Sequence, residues 1–180
     1  MSISGEIPRT VLIVDDSQAL LGAFVLGLPL VGPFEVMTAS NGAEGLELYF
    51  ADPFHLPDCV VIDIKMPGLD GYQLVRGLRG DPQSKNTPLI ILTALAQDQD
   101  RLAGLLSGAD RFLVKPVLPS ELAAVIQEVC LISDEERLLG LRALVADTDG
   151  EIAPAMSTTD AEQQAPDRED SSGDSLAVKS

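Results

Sequence analysis

Polar residues follow four short apolar runs directly: Asp15 and Asp16 after Val11-Leu-Ile-Val14, Asp63 after Cys59-Val-Val-Ile62, Thr93 after Leu89-Ile-Ile-Leu92, and Lys115 after Arg111-Phe-Leu-Val114. Read as parallel strands, these runs deliver all five residues to the carboxyl edge of a sheet, where open α/β folds bind ligands. Three carboxylates gathered there repel one another and retain protons unless a cation joins them. Mg²⁺ meets that need, because it takes hard oxygen ligands, usually only one or two carboxylates, and leaves positions for water and phosphoryl oxygens. Asp15, Asp16 and Asp63 are therefore candidate metal ligands. The Lys115 ammonium and the Thr93 hydroxyl suit the oxygens of a phosphoryl group. Asp63 is left as the nucleophile: a carboxylate can attack phosphorus in line while metal and lysine neutralise the transferring charge. The acyl phosphate so formed is labile, which suits a switch better than a store.

The elements that must position these residues are legible in the apolar pattern. Strands are predicted at 11–14, 35–39, 59–62, 89–92 and 111–114, and helices with three- and four-residue apolar spacing at 18–28, 43–50, 72–79, 97–106 and 120–131. Alternation of this kind indicates α/β architecture, a doubly wound parallel sheet with crossover helices. The first, third and fourth strands are almost wholly apolar and belong in the centre; the second is mixed and reads as an edge. Asn41 and Ser120 are suitable N-caps, and Gly80 and Gly108 stand where a left-handed helix end is wanted. Gly68 and Gly71, in the loop after Asp63, answer to backbone requirements, positive φ or close approach.

Residue 132 divides the chain. Residues 9–132 form the expected domain; Ser133-Asp-Glu-Glu136 opens a capping box for an amphipathic helix over 133–147; residues 148–180 have the polar, acidic composition of a disordered tail. The chain carries 12 basic and 28 acidic side chains, the wrong sign for coating a nucleic-acid backbone. Cys59 and Cys130 lack the spacing of a metal or redox motif and read as reduced thiols. The only histidine, His55, lies in a proline-rich loop and reads as exposed. No basic and apolar leader opens the sequence, and the longest uncharged stretch, 19–34, is short for a span and interrupted by two prolines. A cytoplasmic protein is expected.

Taken together, Val11-Leu-Ile-Val-Asp-Asp16, Val60-Val-Ile-Asp-Ile-Lys-Met-Pro-Gly-Leu-Asp-Gly71, Ile91-Leu-Thr-Ala94 and Phe112-Leu-Val-Lys-Pro116 resemble the receiver domains of bacterial two-component response regulators. The resemblance implies a flavodoxin-like (βα)5 fold with strand order 2-1-3-4-5, in the stand-alone arrangement of chemotaxis regulators. It implies that Asp63 accepts a phosphoryl group from a sensor histidine kinase or phosphotransfer protein, that Asp16 contacts Mg²⁺ directly, and that Asp15 assists partly through water. The Lys65 backbone carbonyl would be a further ligand. Thr93 and Phe112 would be the switch pair, and Lys115–Pro116 a cis peptide. Self-phosphorylation and slow autodephosphorylation would be the only catalysis, and a downstream effector protein would read the state, with no direct contact to nucleic acid or membrane. No output-domain sequence is expected after residue 132. Two rivals stand beside this reading. A haloacid-dehalogenase-like phosphatase needs two aspartates separated by one residue after the first strand, whereas Asp15 and Asp16 are adjacent. A phosphorylation-independent scaffold would have no need of the full set Asp15, Asp16, Asp63, Thr93 and Lys115.

Overall fold

Strand side chains point alternately to opposite faces, and the apolar runs are long enough to fill both. In the computed structural model, which describes residues 7–94, 108–133 and 135–137, the order is β1 (Arg9–Val14), α1 (Gln18–Val31), β2 (Phe34–Ala39), α2 (Gly42–Tyr49), β3 (Cys59–Asp63), α3 (Gly71–Gly80), β4 (Leu89–Thr93), β5 (Arg111–Val114) and α4 (Pro119–Leu131). The helix expected at 97–106 and residues 138–180 lie outside the described residues.

The five strands pair in parallel in the order β2-β1-β3-β4-β5. This is the flavodoxin-like sheet anticipated above, with β2 at one edge. Val11, Ile13, Cys59, Val61, Ile90 and Leu92 turn to one face, where Leu21, Phe24 and Leu28 of α1 and Leu122, Ile126 and Val129 of α4 cover them. Leu12, Val14, Val60, Ile62, Leu89 and Ile91 turn to the other, against Tyr49 of α2 and Leu74, Val75 and Leu78 of α3. β3 and β4 are buried along their whole length, the environment that continuous apolar runs require.

Several boundaries differ from the sequence reading. α1 runs past Pro29 to Val31 instead of stopping at 28. A proline inside a helix loses its bond to the carbonyl four residues back and crowds it; that residue is Val25, on the exposed side of the helix and only two turns from its end, so the disturbance falls outside the core. The 120–131 helix starts at Pro119, and Ser120 is not its cap. Leu118 is the N-cap residue, without a side-chain bond, because proline at the first helical position supplies a preset φ. Gly80 is not left-handed: α3 ends at Asp81 with φ −94°, and the positive-φ glycines among the described residues are Gly68 (79°) and Gly108 (102°). Asn41 does cap α2, accepting from the Glu44 N–H at 3.0 Å. The Ser133–Glu136 capping box also forms, with the Ser133 N–H donating to Glu136 at 2.9 Å and the Glu136 N–H to Ser133 Oγ at 3.2 Å.

A buried charge network closes the amino-terminal edge of the sheet. Asp110 accepts from Arg79 Nη2 at 3.0 Å and from the Leu89 N–H at 2.7 Å, and its other oxygen meets Arg137 Nη1. Arg79 also donates to the carbonyls of Gly108 and Thr87 at 2.8 and 2.7 Å. Arg137 Nη2 reaches the carbonyls of Val129 and Ile132, at 3.2 Å each. The segment beginning at Ser133 is thereby fastened to the domain.

Candidate functional site

β1, β3, β4 and β5 all run the same way, so their carboxyl ends lie along one edge, and α1 and α3 leave from the first two. Asp15 follows β1, Asp63 ends β3, Thr93 ends β4 and Lys115 follows β5. Asp15, Asp63 and Thr93 are buried, whereas Asp16 is exposed. Lys115 Nζ lies 2.6 Å from Asp15 Oδ2 and 2.9 Å from Asp63 Oδ1. One ammonium thus bridges two carboxylates on different strands. The fifth strand end is tied to the fourth by the Lys115 N–H, which donates to the Thr93 carbonyl at 2.7 Å. Lys115–Pro116 is cis.

Local backbone fixes each carboxylate. The Ser17 N–H donates to Asp15 Oδ1 at 2.9 Å while Ser17 Oγ, as N-cap of α1, accepts from the Leu20 N–H. This Asx-turn holds Asp15 at the strand exit. Spacing alone did not single Ser17 out, although an Asp-x-Ser at a helix start is the signal that could have. Asp63 receives the Lys65 backbone N–H, and the Lys65 side chain is exposed. The loop from β3 to α3 turns at Gly68 and returns tightly. A Cβ on Gly71 would stand 2.2 Å from the Asp63 carbonyl oxygen, so only glycine lets α3 begin so close to β3.

Burial raises the Asp63 carboxyl above the ordinary range, the neighbouring Asp15 adds to this, and the bonds from Lys115 and Lys65 offset only part of it. For Lys115, burial acts to depress the ammonium, but the two carboxylates outweigh it and its pKa is raised. Asp63 is thus a buried carboxylate whose ionised form still lacks some compensating positive charge. A cation at this edge would supply it, and the donors on offer are oxygens, the chemistry Mg²⁺ prefers. Among the described residues no group of three His, Cys, Asp or Glu side chains is gathered as a metal cluster; Asp15 and Asp63 are drawn to Lys115, while Asp16 faces solvent. One or two carboxylates with a carbonyl remain a sufficient protein share for Mg²⁺.

Phe112 is half-buried and packs against the core face that carries Leu12 and Ile62. His55 is exposed as expected, and its Nδ1 pairs with Asp52 at 2.7 Å. It stands apart from the strand-end residues in the loop before β3.

Fold and site define the class. The response regulator receiver domain matches residues 11–127, and the chain belongs to that family. It is 42% identical over 129 residues to a probable transcriptional regulator, ycf27, of Guillardia theta, covering 72% of this chain and 48% of that one. It is 43% identical over 120 residues to the transcriptional regulatory protein PrrA of Mycobacterium tuberculosis, covering 67% and 48%. The chain therefore spans about half the length of these relatives. Among solved structures it is similar to a putative response regulator from Chloroflexus aurantiacus (TM-score 0.64, 34% identity, 69% of this chain and 99% of that one). It is also similar to the chemotaxis protein CheY4 of Vibrio cholerae (TM-score 0.62, 32% identity, 68% and 98%). Among the described residues no helix is long and apolar enough to cross a membrane.

Proposed function

We propose that the chain is a phosphoryl-accepting switch in which Asp63 takes its phosphoryl group from a phosphohistidine on a sensor kinase or phosphotransfer protein. The observation that carries this reading is the Lys115 bridge, with Nζ 2.6 Å from Asp15 and 2.9 Å from Asp63. In the transfer, an Asp63 carboxylate oxygen forms the new O–P bond as the N–P bond to histidine breaks, and the donor imidazole leaves. Lys115 neutralises charge on the phosphoryl oxygens and afterwards exchanges its contact with Asp63 for one with the bound phosphoryl group. The Thr93 hydroxyl donates to another phosphoryl oxygen. Asp15, Asp16, Asp63 and the Lys65 carbonyl would hold Mg²⁺, which when bound spreads the charge of the transferring group.

The response is carried away from the edge by Thr93 and Phe112. As Thr93 is drawn to the phosphoryl group, the half-buried Phe112 ring turns inward, changing the surface of β5 and α4. That surface already shows apolar side chains, with Val114 44% and Leu118 68% exposed, which suits a protein partner. A phosphoryl group shifts such an equilibrium only by its different interaction with the two states, and Lys115 and Thr93 are the groups that sense it. The acidic balance of the domain favours an effector protein over direct nucleic-acid contact.

Incubation with Mg²⁺ and a small phosphodonor, followed by intact mass, tests the assignment. The expected product is one base-labile phosphoryl increment in the parent chain and none in Asp63→Asn. An increment that persists in Asp63→Asn would falsify it. Partner binding indifferent to phosphorylation would favour the scaffold reading over the switch.

A further inference from the structure

The chain has two cysteines, far apart in sequence, and the fold brings them together at the edge of the sheet opposite Asp63. Cys59 is the first residue of β3, with no exposure, inside the core cluster under α1 and α4. Cys130 is the penultimate residue of α4; it is partly exposed and packs against the same cluster. The two thiols are near enough to act on each other electrostatically. Cys130 Sγ in turn lies 3.7 Å from the carbonyl oxygen of Asp58, the residue before Cys59.

The surroundings distinguish the two sulfurs. Burial first, and then the neighbouring Cys130, push the Cys59 thiol well up. The neighbouring Cys59 thiol lowers Cys130 to about 7, with Arg9 and Arg137 acting in the same sense and burial and Asp58 opposing. Arg137 is held in place by the Val129 and Ile132 carbonyls on either side of Cys130. An open cleft of about 720 Å³, lined by Arg9, Asp58, Gln127 and Leu131 among others, adjoins this corner. Cys130 does not line that cleft but is itself partly exposed, so a small solute meets it before Cys59, which is enclosed. Thiolate character and access select the sulfur that is attacked, and a neighbouring thiol resolves the product.

We propose that Cys130 and Cys59 form a peroxide-responsive thiol pair, with Cys130 the attacking sulfur and Cys59 the resolving one. The Cys130 thiolate attacks one oxygen of a hydroperoxide; the O–O bond breaks, sulfur becomes a sulfenic acid, and the other oxygen leaves as alkoxide or hydroxide and takes a proton. Cys59 sulfur then attacks the sulfenic sulfur, its proton leaving with the hydroxyl as water. The sum is two thiols oxidised to one disulfide and one hydroperoxide reduced to water and an alcohol, or to two waters from hydrogen peroxide. The bond would staple the end of α4, and with it the segment anchored by Arg137, to the central strand. It makes no use of the Asp63 site, since the thiols lie at the other end of β3.

The test uses the full reduced chain, hydrogen peroxide and a metal chelator, followed by N-ethylmaleimide in denaturant. The expected result is loss of both thiols together, a mass lower by two hydrogens, a Cys59–Cys130 linked peptide, and full reversal by dithiothreitol. In Cys59→Ser, dimedone should trap a sulfenic acid on Cys130; in Cys130→Ser, Cys59 should stay unmodified. A measurement without variants guards against misfolding: in the native parent chain, Cys130 should alkylate at least about tenfold faster than Cys59. Two intact thiols after peroxide, bonds only between separate chains, or equal alkylation rates would each overturn the proposal.

Discussion

At the scale of single residues, the site holds more carboxylate than its own cations neutralise. Asp63 has its pKa raised, first by burial, so the folded state binds a proton on Asp63 more readily than the unfolded chain does. Its ionised form therefore costs stability at every pH above the raised folded value, and that cost fades as pH falls through it towards 3.8, the ordinary value. Asp63→Asn, nearly isosteric and neutral, should raise the Tm at pH 7 by a few degrees, the shift that about 1 kcal/mol gives a domain of this size. Thermal melts should converge for parent and variant on acidification; a gap that widens instead would refute the sign. Mg²⁺ should stabilise the parent, by about 2.7 kcal/mol at a hundred times its Kd, and Asp63→Asn much less. Lys115 carries the opposite sign. Its raised pKa places its contribution in full below 10.5, lost only as pH rises through the folded value. Lys115→Ala leaves Asp15 and Asp63 facing each other without a cation, and at neutral pH should cost about 3 kcal/mol in urea unfolding. Phosphoryl loading by a small donor should survive in that variant, while the change in partner affinity on phosphorylation should shrink.

At the scale of elements, the tightest fit lies between the end of β3 and the start of α3, where Gly71 passes against the Asp63 carbonyl. Backbone meets backbone there, so no side chain can yield. Gly71→Ala should displace the loop that holds Asp63, lowering stability by about 2 kcal/mol, in the range of an overpacked contact, and slowing phosphoryl loading. A normal loading rate beside a normal melting curve would show that the loop has room. The sequence signals this spot only as a glycine in a loop; the close approach that makes glycine necessary is a property of the assembled sheet. Strand cores were legible to within two residues because period-two burial on both faces leaves continuous apolar runs. The helix ends were less so: the first helix is expected over 18–28 but runs on through Pro29, and Ser120 is expected as a cap although Pro119 has already begun the turn. The strand-end residues of the site were readable because each directly adjoins its strand. Nothing periodic links Arg79 to Asp110 or Cys59 to Cys130, and those contacts appear only once the topology brings distant segments together.

At the scale of the molecule, the proposed phosphoryl site and the structural anchor occupy opposite edges of the same sheet. Asp15, Asp63, Thr93 and Lys115 stand at the carboxyl ends, while Asp110 gathers Arg79 and Arg137 near the amino ends. Arg137 belongs to the segment after α4, yet it is only 8% exposed and reaches both the Asp110 carboxylate and two carbonyls of the preceding turn. Its Nε is buried without a hydrogen-bond partner, so the ion pair and the two carbonyl bonds must carry the cost of burying the guanidinium. Removing one member of such a network leaves its buried partner less fully compensated. Arg137→Met, which keeps the length and apolar stem, should lower stability by about 2–4 kcal/mol, with Asp110 left to Arg79 and the Leu89 N–H alone. Because the carboxyl edge lies at the far end of the strands, the fraction of chain phosphorylated by a small donor should stay within about twofold of the parent under conditions where both are folded. Urea unfolding and intact mass on the same preparations separate the two effects. Unchanged stability would mean that the segment after α4 is merely laid on the domain, and lost phosphorylation in a folded variant would mean that the two edges are coupled through β3 and β4.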